Sequence, residues 1–396
     1  MLQFINEPVS ALLAYDARPD AKVADKTVVV ADLGGTRSDV AVIASRGGIY
    51  SILATEHDYD TSGAQLDQVL VDHFAKEFIK KHQTDPRTNE RSLAKLKAES
   101  EAVKKALSLG ASAAFSVESL ANGIDYTATI NRTRYELLGN KQMAAFTRLI
   151  VHAVEKAGLD VLDVDEIILA GGTSHTPKIA RNVQLAFPES TTIHAPATSP
   201  TAINPSELNA RGAAIQASLI ADFDPEDIEQ STHAAVTVTP HLSQALGVLL
   251  ISGEENNGIF MPIIQANTAV PVRRTAQVAV PAAGGDVLVK LCEGISSIKV
   301  TKPEPKPKAN GKATVEDAKD SDDDESDEES EEEEEDKREK IYKAGQALAE
   351  VAIKGVKKGG KVEVQVDVDA ELRVSAIVRQ VGGKGGVRVS LEPPKA

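Results

Sequence analysis

The stretch TVVVADLGGTRSDVAVI, residues 27–43, decides the fold of this chain. An apolar run leads into Asp32, a glycine pair interrupts it, and a second apolar run follows at once. Short apolar runs separated by glycine-rich turns are typical of β-strands. A third run, IYSILA at residues 49–54, continues the pattern. We therefore predict a strand meander that starts at Thr27.

Helical periodicity begins where the meander ends. Leu66, Leu70, Phe74 and Phe78 recur at a spacing of four and predict an amphipathic helix. The remainder of the first 221 residues mixes strands and helices in the same way, which indicates an α/β fold. The other predicted elements are a helix over residues 3–15, a helix from Leu93 to Leu109, a strand pair around 113–131, a helix that ends near Gly158, a buried strand over 166–170, and helices that begin near Lys178 and at Pro205 or Ser206.

The character of the sequence changes after residue 221. Residues 222–235 are polar without an apolar period, which is typical of an interdomain linker. Short apolar runs and hairpin turns follow, so residues 236–396 are predicted to form an all-β domain. An insertion at about 301–342 has too few apolar residues to offset the entropy of ordering, and we predict that it is disordered.

The net negative charge of the chain arises from that insertion. The 396 residues include 59 acidic and 44 basic side chains, for a net charge of −15. Sixteen of the acidic residues and one lysine lie at 316–336, so the rest of the chain is balanced. Binding to phosphate backbones needs a broad basic excess, so we expect no direct DNA binding.

Composition also restricts the kind of site. A single cysteine, Cys292, excludes an intramolecular disulfide framework and a multi-thiolate zinc site. His57, His73 and His82 do not lie at ligand spacing with carboxylates on one helical face, so no metal site is predicted. No run approaches the ~20 apolar residues of a membrane span, and the first residues lack the pattern of a signal peptide. We expect a cytoplasmic protein with no membrane partner.

Two apolar strands run into paired glycines, and both turns are candidate phosphate- or ribose-binding loops. Glycine lacks a Cβ atom, so backbone N–H groups at such a turn are able to approach a ligand closely. Taken alone, each pair is better explained as a simple tight turn, and neither fits the P-loop or the dinucleotide-binding pattern. The candidate residues are Asp32, Gly34, Gly35, Thr36 and Arg37 in the first turn, and Gly171, Gly172, Thr173 and His175 in the second.

The helix over residues 93–109 has a polar face suited to a nucleoside. Glu101, Lys104, Lys105 and Ser108 lie at positions i, i+3, i+4 and i+7, so all four are predicted to project from one face. One carboxylate, two ammonium groups and a hydroxyl group are able to hold a ribose and a purine edge. Taken alone, a solvated face with a surface ion pair explains these residues better.

In order and spacing, these segments resemble the heat shock protein 70 family of chaperones. DLGGTRSDVAVI is similar to the family's second phosphate motif, ILAGGTSHTPKI to its adenosine motif, and SEAVKKALS to the helix that grips the adenosine. The resemblance covers nearly the whole chain outside the insertion. Further similar segments are INEPVSALLAY, INPSELNARGAAIQASLI, VTVTP, IIQANTAVPVRRT and VEVQVDVDAELRVSA.

The resemblance implies a fold and a ligand. Residues 1–221 would form part of an actin-like ATPase domain, namely one helix of lobe I followed by lobe II, and the all-β domain would be the family's substrate-binding sandwich. ATP, with Mg²⁺, is the implied cofactor. The family's first phosphate motif and catalytic lysine would precede Met1, and its helical lid would follow Ala396.

Departures from the family pattern bear on hydrolysis. Thr36 stands at the third glycine of the phosphate motif, where a β-branched side chain crowds the approach of a phosphate. Arg37 replaces a threonine and exchanges a hydroxyl group for a cation. His175 and Lys105 each stand where the family has an arginine. We expect adenosine binding to be retained and ATP hydrolysis to be impaired, so no catalytic residue is assigned.

The polar linker and the acidic insertion resemble an atypical subgroup of the family that is found in the fungal ribosome-associated complex. In that resemblance the chain would pair with a J-domain protein of the zuotin type, reach the ribosome through that partner, and assist nascent polypeptides indirectly. Two alternatives stay open. The first alternative is an active ATPase chaperone represented by an incomplete sequence. The second is an acidic module whose residues 316–336 bind basic proteins.

Overall fold

The hairpin predicted from residues 27–43 lies at the centre of a five-stranded mixed sheet in the computed structural model. β1 (Lys26–Leu33) pairs antiparallel with β2 (Ser38–Arg46) and parallel with β6 (Glu166–Ala170). The strand order is β3-β2-β1-β6-β7, with β3 at Ile49–Asp58 and β7 at Thr192–His194. The structure describes residues 3–19, 21, 24–231, 239–251, 260–280, 285–301, 337–383 and 385–391.

Both faces of this sheet are covered, which explains the continuous apolar run of β1. Val29, Ala31 and Leu33 belong to the larger core cluster on one face, whereas Val28 and Val30 belong to a smaller cluster on the other. Successive side chains of a strand point to opposite faces, so a strand between two cores is apolar at every position. The helices of this region are α1 (Glu7–Asp16), α2 (Gly63–His82), α3 (Glu90–Leu109), α4 (Arg132–Leu138), α5 (Asn140–Lys156), α6 (Pro177–Ala186) and α7 (Leu208–Leu219).

A separate hairpin of β4 (Ser112–Ala121) and β5 (Ile124–Asn131) packs on α2 and α3. Phe74 of α2 lies with its ring centroid 4.2 Å from that of Phe115, and Phe78 meets Tyr126 edge-on at 5.4 Å. Each fully buried phenylalanine contributes roughly 2–3 kcal/mol by leaving water. This packing fixes α3 against α2, and it thereby sets the position of the polar face of α3.

The described residues after 239 form two four-stranded antiparallel sheets, which agrees with the predicted all-β character of this region. One sheet has the order β10-β13-β14-β15 and the other β12-β11-β8-β9. Their shared core is rich in valine, and in β13 the buried residues alternate with partly exposed ones, which is the pattern of a strand with one covered face. The strands are β8 (Ala245–Ile251), β9 (Phe260–Ile264), β10 (Val272–Ala279), β11 (Gly285–Thr301), β12 (Lys337–Val356), β13 (Lys361–Val368), β14 (Val374–Gln380) and β15 (Val387–Leu391).

Two segments differ in detail from what the sequence indicated. Residues 222–235 were predicted as an interdomain linker, and within this segment Pro225–Ser231 form a helix, α8, that the absence of an apolar period did not indicate. Proline at the first helical position and acidic residues in the first turn favour a helix start even without an apolar stripe. The predicted disorder of 301–342 is wrong for Lys337–Tyr342, because the backbone of this segment pairs with β11. Residues 302–336, including the acidic tract, lie outside the described residues.

Ion pairs join the β sheets to the α/β region. A guanidinium nitrogen of Arg338 lies 3.1 Å from a carboxylate oxygen of Asp160, and Lys340 contacts the carboxylate of Asp163. Asp160 and Asp163 both lie in the turn after α5. A third pair joins Arg274 to Asp25 at 3.5 Å. In each pair the β region supplies the cation and the α/β region supplies the carboxylate. A cavity of about 740 Å³ lies between the two regions beside these contacts.

Candidate functional site

The turn between β1 and β2 is the first predicted phosphate loop. The backbone N–H of Gly34 donates to the carbonyl of Arg37 at 3.0 Å, which closes a tight turn. Gly35, Thr36 and Arg37 are exposed at its tip. Ser38 is buried below them, and its hydroxyl group donates to the carbonyl of Thr61 at 2.7 Å. The tip is therefore accessible to a ligand while its base is anchored.

Asp32 lies at the base of this turn. The amide of Asn209 donates to Asp32 at 2.9 Å. Burial raises the pKa of Asp32 above its ordinary value and the charge of Asp39 raises it further, whereas the hydrogen bond from Asn209 and the charge of Arg37 lower it. Arg37 itself pairs with Asp39, with 2.8 Å between the guanidinium Nε and a carboxylate oxygen.

The second turn follows β6 and is buried against the first. Gly171 has φ 81° and ψ 157°, a combination that is essentially restricted to glycine. A Cβ atom at Gly171 would lie 2.5 Å from both Asp32 Oδ1 and the carbonyl oxygen of Leu33. The hydroxyl group of Thr173 donates to the carbonyl of Gly34 at 3.0 Å. The two glycine-paired turns are thus in direct contact.

Helix α3 reaches the same turns through α2. Lys104 Nζ donates to the carbonyl of Gly63 at 3.1 Å and to Asp67 at 2.9 Å. The backbone N–H of Gly63 donates to the carbonyl of Gly34 at 2.9 Å, and Ala64 donates in the same way to Gly35 at 2.8 Å. Lys104 and the first turn therefore both form hydrogen bonds with Gly63, the first residue of α2.

Asp67 shows how tightly this junction is packed. Its side chain is 20% exposed and that of Lys104 is 13% exposed. Burial raises the pKa of Asp67, while the hydrogen bond and the charge of Lys104 lower it. A half-buried carboxylate with one cationic partner depends strongly on that partner, because removing it leaves an uncompensated charge.

The other predicted adenosine residues are exposed or half-buried at the surface. Glu101 and Lys105 pair with each other at 2.7 Å and are largely exposed. The hydroxyl group of Ser108 donates to the carbonyl of Lys104 within α3 at 3.3 Å. His175 is half-buried, with its Nε2 atom 3.5 Å from the hydroxyl group of Ser206, and Gly172 is exposed. The predicted common face of α3 is therefore divided between an inward Lys104 and an outward Glu101–Lys105 pair.

Three contact residues were missed at the level of sequence: Gly63, Asp67 and Asn209. Gly63 is the first residue of α2, and Asp67 directly follows Leu66, the first residue of its apolar stripe. Helix amphipathicity was the only signal in this segment. Asn209 comes from α7, about 177 positions from Asp32 along the chain. Nothing in the local pattern around Asn209 indicates this partner, because the contact depends on how α7 packs.

The carboxylates of the first turn do not fit a directly bound divalent cation. Asp32 accepts from Asn209 and Asp39 is paired with Arg37. Among the residues that the structure describes, no group of three His, Cys, Asp or Glu side chains has the geometry to hold a metal ion. A cavity of about 280 Å³ opens over Asp32 and Asp39 and is bordered by Asn6 and Pro8 of the α1 segment.

No helix in the described part of the chain is long and apolar enough to cross a membrane.

Comparison with known proteins finds relatives that match nearly the whole chain and more distant relatives that match part of it. The chain is 43% identical to the ribosome-associated complex subunit SSZ1 of Saccharomyces cerevisiae over 377 residues, which is 95% of this chain and 66% of that protein. It is 41% identical to a heat shock protein 70 homolog of Schizosaccharomyces pombe, over 97% of this chain and 65% of that protein. A more distant relative is the heat shock 70 kDa protein BIP3 of Oryza sativa, 34% identical over 69% of this chain and 38% of that protein.

The chain thus spans slightly less than two thirds of the length of its two most similar relatives named here. The family model described as Hsp70 protein matches residues 1–316, which include both glycine-paired turns and α3. The mixed sheet and the separate antiparallel sheets agree with the actin-like and β-sandwich parts expected from the resemblance. The chain belongs to the heat shock protein 70 family.

Proposed function

We propose that this protein is an ATP-binding co-chaperone of the heat shock protein 70 family with weak or absent ATP hydrolysis. The observation that carries the proposal is the contact between the two glycine-paired turns, since Thr173 bonds to Gly34 and Lys104 holds the adjoining helix. In this proposal residues 1–221 include lobe II of the nucleotide-binding domain and residues 236–396 are the substrate-binding sandwich. Residues 222–235 connect the two.

The proposed ligand contacts divide by chemistry. The exposed backbone at Gly35 and Thr36 and the cation of Arg37 face the phosphates, whereas Glu101, Lys105 and His175 face the adenosine. Bound ATP then stabilises one arrangement of the site without being consumed. Ligand binding stabilises a fold by about 2.7 kcal/mol at a hundredfold excess over the dissociation constant, so hydrolysis is not required for such a role.

Photoaffinity labelling tests where the nucleotide binds. The protein, purified from its own cells, is irradiated with 8-azido-ATP and the labelled peptides are identified by mass spectrometry. We expect the label on peptides that contain residues 101–108 or 171–175, and competition by unmodified ATP. Label that is confined to the β region, or that ATP does not compete, would contradict the proposal.

The partner is a separate element of the proposal. The Saccharomyces relative is named as a subunit of a ribosome-associated complex. We propose that this chain likewise acts in the cytoplasm with a J-domain protein of the zuotin type, reaches the ribosome through it, and assists nascent polypeptides indirectly. Affinity purification from cytosol, followed by mass spectrometry, should recover a J-domain protein in stoichiometric amount. Ribosome sedimentation of this chain should be lost when that partner is depleted.

An active ATPase chaperone is the alternative from the enzyme class. Its distinguishing measurement is ATP turnover by the purified protein, with and without a J-domain protein. The variant Thr36→Gly/Arg37→Thr restores the family pattern in the phosphate motif. We expect this variant to remain slow if other parts of the site have also diverged, and rapid turnover would show that this turn was the only block.

An acidic binding module is the other alternative. It predicts that deletion of residues 316–336 abolishes the main interaction of the protein. Under the co-chaperone proposal the deletion variant keeps its J-domain partner, because the proposed function requires only the two folded regions. Comparative affinity purification of both forms separates the two hypotheses.

A further inference from the structure

Two carboxylates face each other across the first two strands. Asp32 of β1 is the direct register partner of Asp39 of β2. Directly opposite residues of an antiparallel pair project from the same face of the sheet, and like charges at such positions repel. The charge of Asp39 accordingly raises the pKa of Asp32. This pair requires a positive charge or hydrogen-bond donors close by.

The chain supplies both from its own residues. Arg37 Nε lies 2.8 Å from Asp39, and Asn209 donates to Asp32 at 2.9 Å. The guanidinium carbon of Arg37 lies 5.9 Å from the ring centroid of Tyr59, and Arg37 Nη1 donates to the hydroxyl group of Tyr59 at 3.5 Å. The guanidinium group therefore has a carboxylate and an aromatic ring as fixed neighbours.

The backbone of Arg37 places this cation on the proposed phosphate loop. Its carbonyl accepts from the N–H of Gly34, and its side chain remains 48% exposed. An arginine at such a point has donors left for a ligand, since only one guanidinium nitrogen contacts Asp39 and five N–H donors are available.

We propose that Arg37 is the resident cation of this site, so that the nucleotide binds without a divalent metal ion. The guanidinium group neutralises Asp39 and presents its remaining donors to the phosphate oxygens, an interaction for which its planar fork is well suited. Arg37 is thus a binding and specificity-determining residue that selects metal-free nucleotide. This inference rests on the proposed function, because it concerns how the same site takes ATP.

The first experiment needs no nucleotide. Thermal unfolding of the native protein and of Arg37→Thr is followed by circular dichroism, with Mg²⁺ or with EDTA. Removing Arg37 leaves Asp32 and Asp39 without a cation, so we expect Mg²⁺ to raise the midpoint of the variant and to leave that of the native protein unchanged. The matched control is Arg211→Thr, since Arg211 is an equally exposed arginine paired with one carboxylate, Glu207.

A rise in the native midpoint with Mg²⁺ that equals the rise in Arg37→Thr would overturn the proposal. A Mg²⁺ effect in Arg211→Thr as large as that in Arg37→Thr would do so as well. Absence of any Mg²⁺ effect in Arg37→Thr would show that the two carboxylates need no cation, and this result too would refute the proposed role of Arg37.

The second experiment measures binding of a fluorescent ATP analogue to the protein purified from its own cells. We expect the dissociation constant of the native protein and of Arg37→Lys to change by less than about threefold between Mg²⁺ and EDTA. Arg37→Thr should lose affinity about tenfold or more in EDTA, equivalent to about 1.4 kcal/mol, and recover it in Mg²⁺. A larger loss for the native protein on chelation refutes the inference, whereas binding in neither condition refutes the proposed function and leaves the first experiment to decide the role of Arg37.

Discussion

The two glycine-paired turns look alike in sequence and differ in the folded protein. In the turn at residues 34–37 the tip is exposed, and a Cβ atom at Gly35 would meet no atom within 4 Å. In the turn at residues 171–175 the first glycine is pressed against Asp32 and Leu33. Its Thr173 and Ser174 are buried. One turn has an exposed tip, and the other packs against it and donates a hydrogen bond to its backbone.

This difference shows that a shared local pattern does not imply a shared role. Both turns follow an apolar strand of the same sheet, and the strands are adjacent and parallel. Their turns therefore meet at one edge of the sheet, where the first turn has an exposed tip and the second is partly buried against it. The following four predictions test the division, from the largest expected effect to the smallest.

Gly171→Ala should have the largest effect. The residue has a backbone conformation that costs other residues about 1–3 kcal/mol, and the added methyl group would also collide with the backbone of β1. We expect a loss of about 3 kcal/mol or more in the free energy of unfolding of the α/β region, measured by chemical denaturation and circular dichroism. Gly172→Ala is the matched control, because the nearest atom to its Cβ position lies at 3.9 Å. Equal losses in both variants would break the comparison.

Lys104→Met should lower stability by about 2–3 kcal/mol near neutral pH, because it leaves the half-buried Asp67 unpaired. The pKa of Asp67 is already raised by burial, and loss of Lys104 raises it further. A carboxyl group with a raised pKa in the folded state favours folding when it is protonated, and this contribution is lost as the pH rises through that pKa. The variant should therefore recover stability as the pH falls from neutral into the acidic range, where this carboxyl group becomes protonated.

The control for this variant is Lys105→Met, which removes an exposed cation from the same helix. Its pair with Glu101 is solvent-exposed, and such pairs contribute about 0.3–0.5 kcal/mol. A Lys104→Met variant that unfolds like Lys105→Met at every pH would show that Asp67 does not depend on Lys104.

Thr173→Val should cost about 1 kcal/mol, since it removes the hydrogen bond to the carbonyl of Gly34 and preserves side-chain shape. Thr36→Val is the control, because Thr36 is exposed at the tip of the other turn and should tolerate the same change within about 0.5 kcal/mol. Chemical denaturation of both variants measures the difference. The comparison fails if Thr36→Val is the more destabilising of the two.

Gly35→Ala should have the smallest effect on stability, within about 0.5 kcal/mol, because the space around its Cβ position is open. Under the proposed function the same methyl group stands where the backbone meets a phosphate. We expect the affinity for the fluorescent ATP analogue to fall while the unfolding curve stays in place. Unchanged affinity together with unchanged stability would argue against a phosphate at this turn.

Much of the fold followed from the sequence, since the meander, the amphipathic helices and the β strands obey short-range rules of periodicity and turn chemistry. Leu66, Leu70, Phe74 and Phe78 are all buried, as their spacing predicts. The β12 start at Lys337 was missed because backbone pairing with β11 does not require apolar side chains. The helix at Pro225–Ser231 was missed for a similar reason, as its signals are a proline and acidic residues rather than an apolar stripe.

The candidate site was predicted in outline, and its internal contacts were not. Gly34, Gly171 and Thr173 were identified as members of two turns, and Lys104 as one of four residues on a helix face. The sequence does not indicate that Lys104 turns inward to Asp67 while Lys105 stays in solvent. Both are lysines at adjacent positions, and only the packing of α2 against α3 distinguishes them.

The amino-acid sequence by itself determined the order of strands and helices, the two glycine-paired turns and the confinement of negative charge to one segment. These properties depend on neighbours in the chain, through side-chain periodicity and backbone freedom. Tertiary structure decided which turn is exposed, which lysine is half-buried, and that Asn209 and Arg37 occupy the carboxylates of Asp32 and Asp39. Such contacts join residues far apart in the chain or on adjacent strands, and they exist only after the sheet and its helices have packed.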